Sequence, residues 1–242
     1  MVAASILAVL PAVQLAAQPR GGDGFLFHRP GATLALRVGA AGAPESSDVY
    51  SFISQRLTAE RGDFVGPTLM ADVSVPVGRR AELQFTLGVT GRNVDSHYRD
   101  LVDNDDREIE QSTRLVRVPL TAGVKWNLLP AGRSIGRYAW VPARVVPYVA
   151  AGGGAMHYSL RQSGDFVDYQ TMDVFNSTLQ SNGWAPSVYA AAGATWNVGA
   201  SFGLNTEVRY DRARGTMRGD FDNFDKIGLS GVGLSAGLLV RF

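Results

Sequence analysis

The sequence predicts an all-β chain: eight antiparallel strands closed into an up-and-down transmembrane β-barrel. Three observations predict it. Apolar and polar residues alternate with a period of two in eight stretches between Ala32 and Phe242, the period of a half-buried strand and not of a helix. The connections between these stretches alternate long and short, as they do when one end of a barrel carries external loops and the other carries tight turns. Aromatic residues assigned to the apolar face fall near the stretch ends, at two levels, where amphipathic rings meet lipid headgroups.

Composition narrows the alternatives. In 242 residues, 23 Lys and Arg stand against 22 Asp and Glu, so no global field draws the chain to nucleic acid. With no Cys, disulfide frameworks, thiolate metal sites and cysteine nucleophiles are excluded. His28, His97 and His157 are the only imidazoles, which leaves little for catalysis. Beyond the N-terminus no apolar run approaches the roughly 18 residues of a spanning helix, so any crossing is by strands. Mean hydropathy is −0.01 because a lipid-facing set and a lumen-and-loop set alternate residue by residue and cancel.

Residues 1–17 read as a secretory signal peptide, a short apolar core ending in small residues before Gln18. They depart from that pattern in lacking a basic start and in placing Leu15 at the third position before the expected cut. Residues 18–31 are expected to be a periplasmic N-terminal segment and residues 32–242 the barrel domain.

The expected strands follow in order. Stretch 32–43 puts Leu34, Leu36 and Val38 opposite Thr33, Arg37 and Gly39, and 67–77 puts Leu69, Val73 and Val75 opposite Thr68 and Asp72. After a tight turn at 78–80, stretch 81–94 opposes Leu83, Phe85 and Leu87 to Glu82, Gln84, Thr86 and Arg92. Stretch 113–128 opposes Val118, Leu120 and Trp126 to Arg117, Thr121 and Lys125. Stretch 145–161 is rich in Gly and Ala, and its apolar face is read as Tyr148, Ala150, Met156, Tyr158 and Leu160, opposite His157, Ser159 and Arg161. Stretch 185–198 sets Val188 and Trp196 against Tyr189 and Thr195, and 202–211 sets Phe202, Leu204, Val208 and Tyr210 against Asn205, Glu207, Arg209 and Asp211. The last, 228–242, sets Val232, Leu234 and Leu238 against Gly231, Ser235, Gly237 and Arg241.

If the apolar face meets lipid, the polar face lines the lumen. Its charged members are Arg37, Asp72, Glu82, Arg92, Arg117, Lys125, Arg161, Glu207, Arg209, Asp211 and Arg241. Buried charges must pair, so a network of arginines and carboxylates across the barrel is expected. An eight-stranded interior is just wide enough to be filled by side chains, which favours a rigid plug; a narrow path for ions or small solutes is the alternative. The expected aromatic girdle is Trp126, Tyr148, Trp196 and Phe202 at the periplasmic level, with Tyr158, Trp184 and Tyr210 at the outer one.

The long connections 44–65, 95–112, 162–184 and 212–227 carry −2, −5, −3 and +1, a sum of −9, whereas the short-turn side carries Arg79, Arg80, Arg133, Arg137 and Arg144 and no acid. Asp48 ahead of Val49, Phe52, Ile53 and Leu57 predicts a short amphipathic helix over the barrel mouth. The acidic run Asp103, Asn104, Asp105 and Asp106 lacks the glycine spacing of a calcium loop, so a solvated loop is expected and no metal or other cofactor.

The chain ends in Ser235-Ala236-Gly237-Leu238-Leu239-Val240-Arg241-Phe242. With Ser235, Gly237, Val240 and Phe242 at its marked positions, this resembles the C-terminal assembly signal of bacterial outer-membrane barrels, read by the insertion machinery as an added strand. From Ala32 to Phe242 the pattern resembles the small eight-stranded outer-membrane barrel family, the OmpA/OmpX type. That resemblance implies an integral outer-membrane monomer. Its expected partners are membrane lipid, lipopolysaccharide and, during insertion, the barrel-assembly machinery, and its role is structural or surface-interacting through acidic loops. His157-Tyr158-Ser159 resembles the His-x-Ser pair of outer-membrane lipid A deacylases, in which the pair faces lipid. Here the assigned register turns both residues into the lumen, so the chain is not expected to be an enzyme.

Overall fold

In the computed structural model, residues 24–42, 48–59, 61–102, 106–168, 171, 173–224 and 226–242 are described. The expected signal peptide and most of the acidic run at 103–106 lie outside them. Eight long strands form the wall: β1 (Thr33–Ala41), β2 (Gly66–Pro76), β3 (Ala81–Val102), β4 (Glu108–Asn127), β5 (Val145–Val167), β6 (Val174–Asn197), β7 (Phe202–Thr216) and β8 (Gly231–Arg241). Each pairs antiparallel with its sequence neighbours, and β8 pairs with β1 from Thr33–Arg241 to Ala41–Gly233, which closes the ring. Closure satisfies the backbone and removes both sheet edges, the condition for strands to cross lipid. No helix among the described residues is long and apolar enough to cross a membrane.

Hydrogen-bonded partners traced once around run from Thr33 through Ser74, Gln84, Gly123, Gly152, Tyr189 and Asp211 to Gly231. Gly231 lies two residues beyond Gly233, the partner of Ala41, so the path returns displaced by ten residues. Eight strands with that stagger tilt by roughly 40° given ordinary strand spacings. Along this tilted wall, one apolar row runs through Leu238, Leu36, Ala71, Leu87, Leu120 and Ala155 across six strands. Leu36, Leu87, Leu120 and Leu238 are each more than half exposed, an arrangement water would penalise and lipid rewards.

Four strands are far longer than a crossing needs. β3, β4, β5 and β6 have 22, 20, 23 and 24 residues, against the roughly 9 to 11 that span a bilayer. Much of what reads in sequence as long loops at 95–112 and 162–184 is therefore strand, continuing the barrel above the lipid. There the pattern reverses sign: Asn93, Asp95, Arg99 and Glu110 face out and are exposed, while Val94, Tyr98, Ile109, Leu115 and Leu160 face in and are buried. Water outside now demands the polar face, as in a soluble barrel.

The first long connection folds over this upper barrel as α1 (Asp48–Arg56) and a 3₁₀ turn (Arg61–Phe64). Tyr50, Leu57 and Phe64 are almost fully buried in one cluster with Tyr98, Ile109, Met156, Tyr158, Leu160, Ile227 and Leu229. At the other end, the intermediate connection forms a small hairpin, Gly132–Ile135 with Ala139–Pro142. Leu26 joins that hairpin by a reciprocal backbone pair with Trp140 at 2.8 and 2.7 Å, tying the N-terminal segment to the short-turn side.

Candidate functional site

The lumen is a stack of polar layers under an apolar cap. At the short-turn end Arg241 donates to Asn197. Above it Lys125 lies 3.3 Å from Glu82, whose carboxylate also accepts from Asn127 at 2.6 Å. Arg37 forms the central layer: its guanidinium meets Asp72 and Glu207 at 2.7 Å each and donates to Ser235 at 3.0 Å. Gln84 and Thr86 donate to Asp72 at 3.0 and 2.7 Å, and the Tyr148 hydroxyl lies 2.8 Å from Glu207. Arg37, Asp72 and Glu207 are all under 4% exposed, so the two carboxylates depend on this one guanidinium.

The next layer is Arg209, clamped on Asp211 at 2.9 Å, hydrogen-bonded to Thr121 and stacked 3.8 Å over the Tyr189 ring. Above it Arg117 has no acid partner among the described residues and donates instead to the carbonyls of Leu229 and Ala41, at 3.1 and 3.2 Å. Gly42, at φ +90°, lets the chain leave β1 against this guanidinium; a side chain there would strike it. A cavity of about 20 Å³ beside Arg117, near the size of one water, is lined by Gly42, Thr90 and Asp211 among others. The apolar cap begins at this level. Burial pushes the Tyr50 phenol well above its ordinary pKa, against the pull of the nearby Arg117 charge.

Large lumenal rings fit because the opposing strands carry glycine. A Cβ on Gly193 would lie 2.6 Å from the Tyr148 hydroxyl oxygen, and one on Gly152 2.8 Å from the Tyr189 ring. Glycines that in sequence mark only a sheet protein are thus the sockets of Tyr148 and Tyr189.

Several sequence assignments are corrected. On β5 the inward face is Tyr148, Ala150, Met156, Tyr158 and Leu160, each at most 5% exposed. Tyr148 and Tyr158 are therefore lumenal and not part of a girdle, while Trp126, Trp184, Trp196, Phe202 and Tyr210 face outward and are 45–62% exposed. Tyr148 is stabilised inside by Glu207, and Tyr158 by the apolar cap and the Thr216 carbonyl. The same inversion moves Arg161 to the outer wall, where it is exposed. Arg92 is also exposed, above the lumen, donating to the Asp63 carbonyl at 3.2 Å. The lumenal charges are thus Arg37, Arg117, Lys125, Arg209 and Arg241 with Asp72, Glu82, Glu207 and Asp211, five cations and four anions.

His157 and Ser159 likewise face outward, with His157 packed edge-on to Trp184 at 5.1 Å. Glu207, the acid that a triad would need, is on the other side of the wall and bound to Arg37. No triad is assembled among the described residues. Of the C-terminal positions, Ser235 is lumenal on Arg37, Gly237 stands opposite Arg37 in the β1–β8 seam, Val240 faces Leu34, and Phe242 exchanges backbone bonds with Ala32.

No protein-family model matches the sequence, and neither does any curated protein sequence. Among solved structures, the chain is similar to Neisserial surface protein A, with 16% identity and a TM-score of 0.44 over 88% of this chain and 97% of that one. It is similar to a major outer membrane protein from Thermus thermophilus, with 13% identity and a TM-score of 0.44 over 87% and 99%. A third is Ail, the attachment invasion locus protein of Yersinia pestis, at 13% identity and a TM-score of 0.40 over 86% and 98%. By its own strand count, closure, lipid-facing belt and filled interior, the chain is a small eight-stranded β-barrel of the outer-membrane type.

Proposed function

We propose that this barrel is a filled membrane anchor that holds a rigid, acidic β-wall above the outer surface as an interaction platform. The observation that carries the reading is the length of β3 to β6, about twice that of a crossing, with the surplus polar and outward. The acids assigned in sequence to flexible loops, Asp95, Glu108, Glu110 and Asp165, stand on this ordered wall. A groove of about 470 Å³ among Asp95, His97, Glu110, Ser112 and Ser163 offers a cationic partner charge and relief together.

The lumen reading supports an anchor over a channel. The Arg37 layer and the Tyr50–Tyr158 cap interrupt the axis at two heights. Pure protein in planar bilayers is therefore expected to give no stable unitary conductance, and reproducible single-channel steps would favour the solute path instead. The platform itself is tested with a polybasic peptide and protein in nanodiscs. Binding is expected to weaken with added salt and to be lost in Asp95→Asn/Glu110→Gln; salt-independent binding, or none, counts against it.

A further inference from the structure

The outer wall carries a contradiction that a ligand would resolve. Arg114 of β4 and Arg161 of β5 are directly opposite each other, both exposed. Like charges in that position destabilise a strand pair, since their Cβ atoms stand about 5 Å apart. Neither guanidinium has an acidic partner among the described residues. Two carboxylates bonded to the residues flanking this pair are engaged there: Asp95 accepts from Asn93 at 3.2 Å, and Asp220 accepts from the Gln180 backbone at 2.9 Å.

The two arginines are the centre of a longer row. Asn93 pairs with Arg114 on one side and Gln180 with Arg161 on the other, so amide, guanidinium, guanidinium and amide follow one another across four strands. The next outward row toward the membrane contains Val116, Ser159 and Asn182, and the one below it Val118, His157 and Trp184. Trp184 is 62% exposed and packed on His157, an amphipathic ring at the edge of the apolar belt, where interfacial aromatics sit. The arginine row therefore lies two outward rows, four residues along each strand, above Trp184, and its long side chains reach down toward the lipid headgroups.

We infer that Arg114 and Arg161 form a binding site for the phosphate of an outer-leaflet lipid headgroup, which bridges the two guanidiniums and relieves their repulsion. The planar forks suit phosphate oxygens, and the flanking Asn93 and Gln180 can add neutral donors. The lipid is the favoured source over free phosphate because the row opens onto the outer wall two rows above Trp184, within reach of a headgroup held by its own acyl chains. This names a partner for the barrel wall and is independent of the platform above, whose acids lie on the far side of the row from the lipid.

The test uses the full chain in nanodiscs of phosphatidylcholine, alone or with phosphatidic acid, whose headgroup is a phosphate monoester, and counts retained lipid by native mass spectrometry. Each arginine near an anionic surface contributes about 1 kcal/mol, so Arg114→Gln or Arg161→Gln should weaken retention about fivefold and the double variant about 30-fold. Lys at both positions should restore most of the loss. Thermal unfolding supplies a second readout: in pure phosphatidylcholine the double Gln variant should melt higher than wild type, and phosphatidic acid should reverse that order. Equal retention by wild type and double variant would overturn the inference. So would stabilisation of wild type by inorganic phosphate to the same extent as by phosphatidic acid, which would mark a soluble-anion site.

Discussion

Replacing Arg37 with Met is expected to cost about 3–5 kcal/mol of unfolding free energy, the largest effect of any single change in the lumen. The reason is the arithmetic of one layer. Asp72 and Glu207 both contact Arg37 at 2.7 Å, and among the described residues neither has another cation in contact. Their remaining partners, Gln84, Thr86 and Tyr148, are neutral donors that orient the carboxylates but carry no charge. Without the guanidinium, two buried anions face each other in a site closed to water, and they must take up protons or open the barrel. Urea unfolding of protein reconstituted in vesicles measures the loss. The companion variant Arg37→Met/Asp72→Asn/Glu207→Gln should recover most of it, because a neutral layer of similar volume removes the charges along with their cation. If the triple variant is no more stable than Arg37→Met, packing and not charge pairing holds the layer.

Leu36→Arg should destabilise the inserted barrel by about 2–4 kcal/mol, although Leu36 is 54% exposed and points away from every packed layer. In a water-facing sheet the same substitution would be nearly neutral, since surface changes away from special features stay within roughly 0.5 kcal/mol. What makes it costly is lipid. Leu36 lies between Leu238 and Ala71 in the apolar row, distant from both headgroup levels, so an arginine there has a long reach to water. The depth dependence is a second signature: Val77→Arg, just past the short-turn end of β2, should cost no more than about 1 kcal/mol. Vesicle unfolding again reports the difference, and equal costs at the two positions would contradict the belt.

The sequence made the strand number, the order and the lipid face of seven strands legible, and the eighth shows what limits such a reading. In β7, Phe202, Leu204, Val208 and Tyr210 alternate with Asn205, Glu207, Arg209 and Asp211, and only one face can meet lipid. In β5 both faces are apolar or small across 145–156, so the choice rested on Tyr148, Met156, Tyr158 and Leu160. Those residues misled for two physical reasons. Tyr148 lies within the membrane but has a buried acid for its hydroxyl, so its ring fills the lumen. Met156, Tyr158 and Leu160 join the apolar cap, which continues into the upper barrel where water outside reverses the meaning of the apolar face. The same reversal hid the outer halves of β3 to β6, whose exposed Asp95 and Glu110 and half-buried Asp165 look like loop residues until the inward neighbours Val94, Tyr98 and Ile109 are seen to pack.

The lumenal pairings were legible only as a class. Charge at period-two spacing required an internal network, but which acid meets which arginine depends on strand stagger. Arg37 reaches Glu207 only because β8 closes on β1 and contributes Ser235 between them. Arg92 shows the converse, since a charged residue on the inward face belongs to the lumen only within the height the lumen spans, whereas Arg161 lies outside because the β5 face is inverted. The Arg114–Arg161 pair was invisible for the same reason, because it exists only once the β4–β5 register is known.

The apolar face of the barrel meets lipid while the charged face is sealed inside. The absence of cysteine allows a direct measurement, because single cysteines can be introduced along β7 and spin-labelled without background. Labels at Leu204 and Val208 should be accessible to oxygen dissolved in the acyl region and shielded from an aqueous nickel chelate, while a label at Asn205 should be shielded from both. Alternation of the opposite phase, or free access of the chelate to Leu204 and Val208 in membranes, would contradict it.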